Sequence, residues 1–188
     1  MKKLMLLPVL LLLMISNATA YSYAAAGKEP VIDGREAILV AMQKGDFKQV
    51  DLELAKLNEE LIYLKKEHDV DLIQPFKVAL ENRDKKQIEG LIDVALYEEI
   101  VRRLEGATTN LNDYQVAKVL VVKSKLFLDL LKPKLDSNNS EQANLAINGL
   151  LKSIGNPGVF GVGQEPADEK AFSKYQSQLL TALKQFQL

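Results

Sequence analysis

The chain has 188 residues, with 24 basic against 25 acidic side chains, one histidine and no cysteine or tryptophan. Without cysteine there can be no disulfides, thiolate metal sites, iron–sulfur clusters or covalently attached c-type haem. The near-balanced charge leaves no electrostatic footprint for nucleic acid or anionic lipid.

Residues 1–20, MKKLMLLPVLLLLMISNATA, place Lys2 and Lys3 before an apolar run from Leu4 to Ile15 and end in the small-x-small triplet Ala18-Thr19-Ala20. This is the pattern of a secretory signal cleaved near Ala20, with a second candidate site after Ala26. The apolar run is about a dozen residues, short of the roughly twenty that span a bilayer, and no later stretch is longer. The mature chain is therefore expected to be periplasmic or secreted, with no membrane span. Loss of the two lysines leaves 22 basic against 25 acidic residues, a formal charge of −3 with His68 neutral. Residues 21–32 read as a flexible N-terminal segment, and residues 33–188 as one helical domain large enough to hold its own core.

Along that domain, acidic residues followed three places later by Glu or Gln mark helix starts: Asp33 with Glu36, Asp46 with Gln49, Asp71 with Gln74 and Asp84 with Gln87. Each is an aspartate form of the capping box. The first predicts a short helix to Gln43. From Asp46, Val50, Leu54, Leu57, Leu61 and Leu64 alternate by four and three, which predicts one helix to about Lys66. A short helix over 71–81 follows. The stripe from Ile88 to Leu104 predicts a long helix from Asp84, and the stripe from Ala117 to Leu131 another from Asp113, stopped by Pro133. A short helix over 140–153 and a last one from Asp168, carrying Phe172, Tyr175, Leu179, Leu183 and Phe186, complete the set. The expected fold is all-α: an antiparallel bundle of about four long and three short helices.

Two stretches repeat at an offset of 38. Val40, Ala41, Asp46, Lys48, Gln49 and Val50 correspond to Val78, Ala79, Asp84, Lys86, Gln87 and Ile88. Both read as a short helix, a tight turn and a long helix, which makes a duplicated helical hairpin one reading and chance recurrence of capped starts the other. Through Ala41, Gly45, Asp46 and Phe47, the first hairpin resembles the interhelical turn of a tetratricopeptide repeat, and that resemblance implies a protein-binding scaffold. The signal peptide, the long helices and the segment NLNDYQVAKVLVVKSKLFLDLL are similar to small extracytoplasmic helical-bundle domains that accompany bacterial iron permeases and cytochromes. This second resemblance implies an accessory role beside a membrane-bound partner.

Between the last two helices, GNPGVFGVG holds four glycines in nine positions. Gly155 after a helical run and before Pro157 suits a left-handed helix stop. Asn156-Pro157-Gly158-Val159 suits a type II turn. No Lys-Ser/Thr follows as in a phosphate loop, and no strand–helix context frames a dinucleotide loop. The apolar Val159, Phe160 and Val162, spaced by Gly161 and Gly163, are expected to fold over an open end of the bundle as a plug. A ligand-contacting lid is the alternative.

Candidate chemistry is sparse. His68, among Glu67, Asp69 and Asp71, can ligate a metal or simply cap a helix C-terminus. Glu60 and Glu99 lie in the carboxylate pairs Glu59-Glu60 and Glu98-Glu99, at equivalent places in the two hairpins, and are candidate ligands for a hard cation. No Glu-x-x-His of the di-iron kind is present. The structural alternative pairs Glu99 with Arg103 one turn on and leaves the other glutamates to solvent. Met42 and His68 are the only pair that could ligate haem axially. No catalytic residue stands out, since one histidine without a nucleophile elbow does not make a hydrolytic triad. The sequence thus points to a non-enzymatic extracytoplasmic binding or accessory module that engages a protein partner. No cofactor is expected, and a metal-binding bundle is the alternative.

Overall fold

The computed structural model describes residues 29–159 and 162–188; the predicted signal and the centre of the glycine segment, Phe160 and Gly161, lie outside the described residues. The fold is all-α. Among the described residues eight α-helices follow one another: α1 Pro30–Gln43, α2 Phe47–Lys56, α3 Asn58–Glu67, α4 Ile73–Glu81, α5 Lys85–Thr109, α6 Tyr114–Leu131, α7 Ser137–Ser153 and α8 Glu169–Ala182. Among the described residues no helix is long and apolar enough to cross a membrane.

Aspartate caps set five of the starts. Asp46 and Asp84 each accept the backbone N–H of the glutamine three residues on, at 2.9 Å. Asp113, Asp136 and Asp168 cap α6, α7 and α8 in the same way. Each such cap satisfies a donor that the helix itself leaves open. Asp136 starts α7 before the expected Ser140. Two expected caps behave otherwise. α1 begins at Pro30, whose fixed φ suits a first helical position, so Asp33 lies within the first turn. The segment 21–32 therefore does not stay outside the fold to its end, since Val31 is in the core and Glu29 is buried. Asp71 accepts from Ile73 N–H at 3.0 Å, one residue before α4's own N-cap, Leu72.

The helix expected from Asp46 to Lys66 is two helices, broken at Leu57. Leu57 is buried against α1 at Gly34, where a Cβ would lie 2.8 Å from the leucine's Cδ2. The chain bends there to bring α2 against α1 while α3 continues on to α4. The two hairpins at offset 38 close identically. Asp46 N–H donates to Ala41 C=O at 3.0 Å, and Asp84 N–H to Ala79 C=O at 2.9 Å. Gly45 and Arg83 hold the matching left-handed positions, φ 72° and 53°. Arg83 carries a side chain in a conformation that favours glycine, and its guanidinium lies 5.8 Å from the ring of Phe47, the residue that opens α2. The two turns therefore touch.

α5 is the centre of the molecule. It packs on α1, α4, α6 and α8, and every residue from Ala95 to Ile100 is buried. Helix α6 runs antiparallel to it: Gly106 faces Leu120, and further back along α5 Arg103 lies over the Phe127 ring at 4.3 Å. On the other side α7 and α8 form a hairpin so close that a Cβ on Gly149 would lie 2.4 Å from the Tyr175 ring.

The glycine segment is a corner, and its described valines do not plug the bundle. Asn156 bridges Glu165 and Val159 bridges Val162, which makes a narrow antiparallel ribbon between α7 and α8. Gly155 and Gly158 have φ of 82° and 70°, and a Cβ at either would sit within 2.6 Å of a carbonyl across the ribbon. Gly163 is also left-handed. Gly158 N–H donates to the Asn156 side chain at 3.0 Å, while Val159 N–H crosses to Val162 C=O at 3.0 Å instead of closing the expected turn on Asn156. With their backbones paired to each other, Val159 and Val162 stay 72% and 77% exposed. Ile154, just before the ribbon, and Phe172, in the first turn of α8 after it, are both buried in the core.

Candidate functional site: a charged cleft between α3, α5 and α6

A cleft of about 430 Å³ opens between the three helices. α5 contributes Arg102, Arg103, Gly106 and Asn110; α6 contributes Val116, Val119, Leu120 and Lys123; Tyr63 of α3 stands at its edge. Gly106 faces Leu120 across the cleft, with 3.4 Å between its Cβ position and Leu120 Cδ1, an ordinary packing distance. The helical repeat does the rest. Glu99, Arg102 and Arg103 fall one turn apart on α5, where i,i+3 and i,i+4 side chains meet.

The cleft is floored by a buried ion network. Arg103 donates one nitrogen, Nη1, to Glu99 Oε2 and the other, Nη2, to Glu29 Oε2. Arg102 Nη2 donates to Glu99 Oε2 at 2.8 Å. Lys123 Nζ lies 2.8 Å from Glu29 Oε1, an ion pair whose geometry leaves Oε1 without a hydrogen bond. Arg103, Glu29 and Glu99 are each no more than 6% exposed. Arg103 also stacks on Phe127, and Arg102 lies 5.3 Å from the centre of the Tyr63 ring. Such stacking on an aromatic face favours a guanidinium over a lysine ammonium. Burial pushes the Glu99 carboxyl up, but Arg103 and then Arg102 outweigh it and hold its pKa below the ordinary carboxylate range. For Arg102, burial works against the charge, and the Glu99 carboxylate more than offsets it. The Nε groups of Arg102 and Arg103 are buried without a partner.

Behind Tyr63 and Arg102 lies a smaller hollow of about 230 Å³, lined also by Glu59, Glu60 and Glu99. The fold thus brings Glu60 and Glu99 to one place, with an arginine beside them. Glu99 makes the expected pair with Arg103, and Glu60 Oε2 is buried without a partner. His68 is not with them: it caps α3, its Nδ1 3.6 Å from Glu105 Oε2. Met42 is buried and lines a different hollow with Arg35 and Lys134. Among the described residues no group of three or more His, Asp or Glu is arranged to hold a metal ion. Glu98 departs from the expectation that the remaining glutamates face water. It is buried without an ion pair, and burial, with the charge of Glu105, raises its pKa.

Sequence reasoning reached Glu99 and Arg103 and missed Arg102, Lys123, Glu29 and Tyr63. Lys123 had a signal, a lone charge in the apolar stretch VLVVKS of α6. Glu29 had none, being 74 residues from its partner Arg103. No protein-family model, curated protein or solved structure matches the chain.

Proposed function

We propose that the mature chain is a non-enzymatic extracytoplasmic binding module whose site is the cleft between α3, α5 and α6. The observation that carries this reading is the pairing of a cationic floor, buried Arg103 with the partly exposed Arg102 and Lys123, with an apolar wall, Val116, Val119 and Leu120, in a hollow of ligand size. Pockets that bind small molecules are mostly apolar with a few fixed polar groups, and about 300–1,000 Å³ in volume. The ion network holds those polar groups in place before any ligand arrives. Native mass spectrometry of the chain as isolated from the secreted or periplasmic fraction tests the reading. A stoichiometric adduct present on the parent and lost in Val119→Trp is the expected result; an adduct that survives Val119→Trp would place binding elsewhere.

A second reading, contact with a protein partner, is favoured by the paired hairpins. Val40 and Val78 occupy equivalent positions and are 44% and 47% exposed. A photo-crosslinking residue at either valine should trap the same partner in cells, and trapping equally well from Val122 on α6 would contradict a hairpin interface.

A further inference from the structure

Three cations crowd one end of the cleft, and only two carboxylates, Glu29 and Glu99, pair with them. Counted on the cleft side alone, these five groups sum to one positive charge. Glu59 and Glu60 lie beyond Arg102 in the smaller hollow and make no ion pair with this group. Lys123 Nζ faces Glu29 Oε1 as an ion pair without a hydrogen bond, and Arg102 gives only Nη2 to Glu99, so both cations keep donors for an anion in the cleft. The opposite end, at Gly106, Val116 and Leu120, is apolar apart from the Asn110 amide. Arg103 and Asn110 on α5, like Lys123 and Val116 on α6, are two helical turns apart, so the cleft is about 10 Å from its cationic to its apolar end.

We infer that the cleft binds a small monocarboxylate with an apolar body about 10 Å long. The carboxylate sits on Arg102 and Lys123, with Arg103 beneath them held by Glu29 and Glu99, and the body lies along Val116, Val119 and Leu120. This deepens the reading of the cleft as the binding site and rests on it. One surplus positive charge matches a monoanion. A dianion would bring net negative charge next to Glu59 and Glu60, and an ammonium would add to an end whose donors are already cationic. The planar guanidinium fork of Arg102 suits a carboxylate in particular.

The test is calorimetric titration of the folded chain with octanoate, octan-1-ol and octylammonium, using the parent, Arg102→Gln and Val119→Trp. Octanoate should saturate the parent at one site, and the other two probes should not. Arg102→Gln should weaken octanoate at least about tenfold, the size of one lost charge-assisted hydrogen bond. Val119→Trp fills the cleft from a position that makes none of the network's ion pairs and should abolish binding; if it fails to fold, Arg102→Gln carries the test. Octanol or octylammonium binding as tightly as octanoate, and blocked by Val119→Trp, would keep the site and overturn the carboxylate. Octanoate heat that is absent from the parent, or unchanged in both variants, would overturn the inference. A native adduct still lost in Val119→Trp would then leave the cleft standing as a site, whereas no adduct at all would remove both.

Discussion

Replacing Arg103 with methionine removes the guanidinium that joins Glu29 to Glu99 while keeping an unbranched stem to pack on Phe127. Three chain segments meet at this one side chain: the start of α1 through Glu29, α5 itself, and α6 through Phe127. Breaking a buried ion pair by deleting one partner costs about 3–5 kcal/mol, because the remaining charge is left in a poor solvent. Here Glu99 keeps Arg102 and Glu29 keeps Lys123, so the loss should fall near the lower end, about 3 kcal/mol. Against a total stability of about 5–15 kcal/mol the variant still folds. Urea denaturation followed by far-ultraviolet circular dichroism, with an unchanged m-value, reads the difference. The pH dependence has a defined sign. Glu99 has a lowered folded pKa, so its contribution is complete above the ordinary carboxyl range and is lost as the pH falls through that lowered value. The gap between parent and Arg103→Met should therefore narrow toward acid. A triple variant, Glu29→Leu, Glu99→Leu and Arg103→Met, should recover most of the loss, since Arg102 and Lys123 can turn to solvent. A change below about 1 kcal/mol in Arg103→Met would mean that the guanidinium is solvated and the network does not organise the cleft.

Gly149→Ala should destabilise by about 1–3 kcal/mol through overpacking, because its Cβ would meet the Tyr175 ring; an unchanged urea midpoint would show that α7 and α8 are free to separate. Glu98→Gln should raise the melting temperature at neutral pH, since the buried carboxylate has no ion-pair partner and its folded pKa is raised. That gain should fade as the pH falls below the raised pKa, and a gain that grows toward acid would refute the assignment. Calcium, manganese or ferrous iron titrated into the parent should give no saturable heat, because Arg102 and Arg103 hold Glu99. A micromolar site lost in Glu60→Gln would instead establish the metal-binding alternative.

The helices were legible because their causes are local. An aspartate cap followed by a four-three apolar stripe predicts both where a helix begins and which face it buries, and α2, α5, α6 and α8 begin at the aspartates expected of them. The break at Leu57 was not legible, since no Gly or Pro marks it and the packing of Leu57 on Gly34 of α1 exists only in the assembled fold. The ribbon shows the same division: φ demands at Gly155 and Gly158 could be read from the residues around them, but the pairing of Val159 with Val162, which leaves both side chains exposed, could not. Of the candidate site, the Glu99–Arg103 pair is one helical turn and could be foreseen. Glu29 and Lys123 join it only once α1, α5 and α6 are assembled, so no spacing in the sequence could announce the cleft.

The proposed ligand site lies between α3, α5 and α6. Methyl NMR during titration with octanoate tests it most directly, because Val116, Val119 and Leu120 line the cleft while Val40 and Val78 report on the remote hairpin turns. The account predicts saturable shifts of the three cleft residues with Val40 and Val78 unmoved; saturable shifts at Val40 and Val78 with the cleft methyls silent would contradict it.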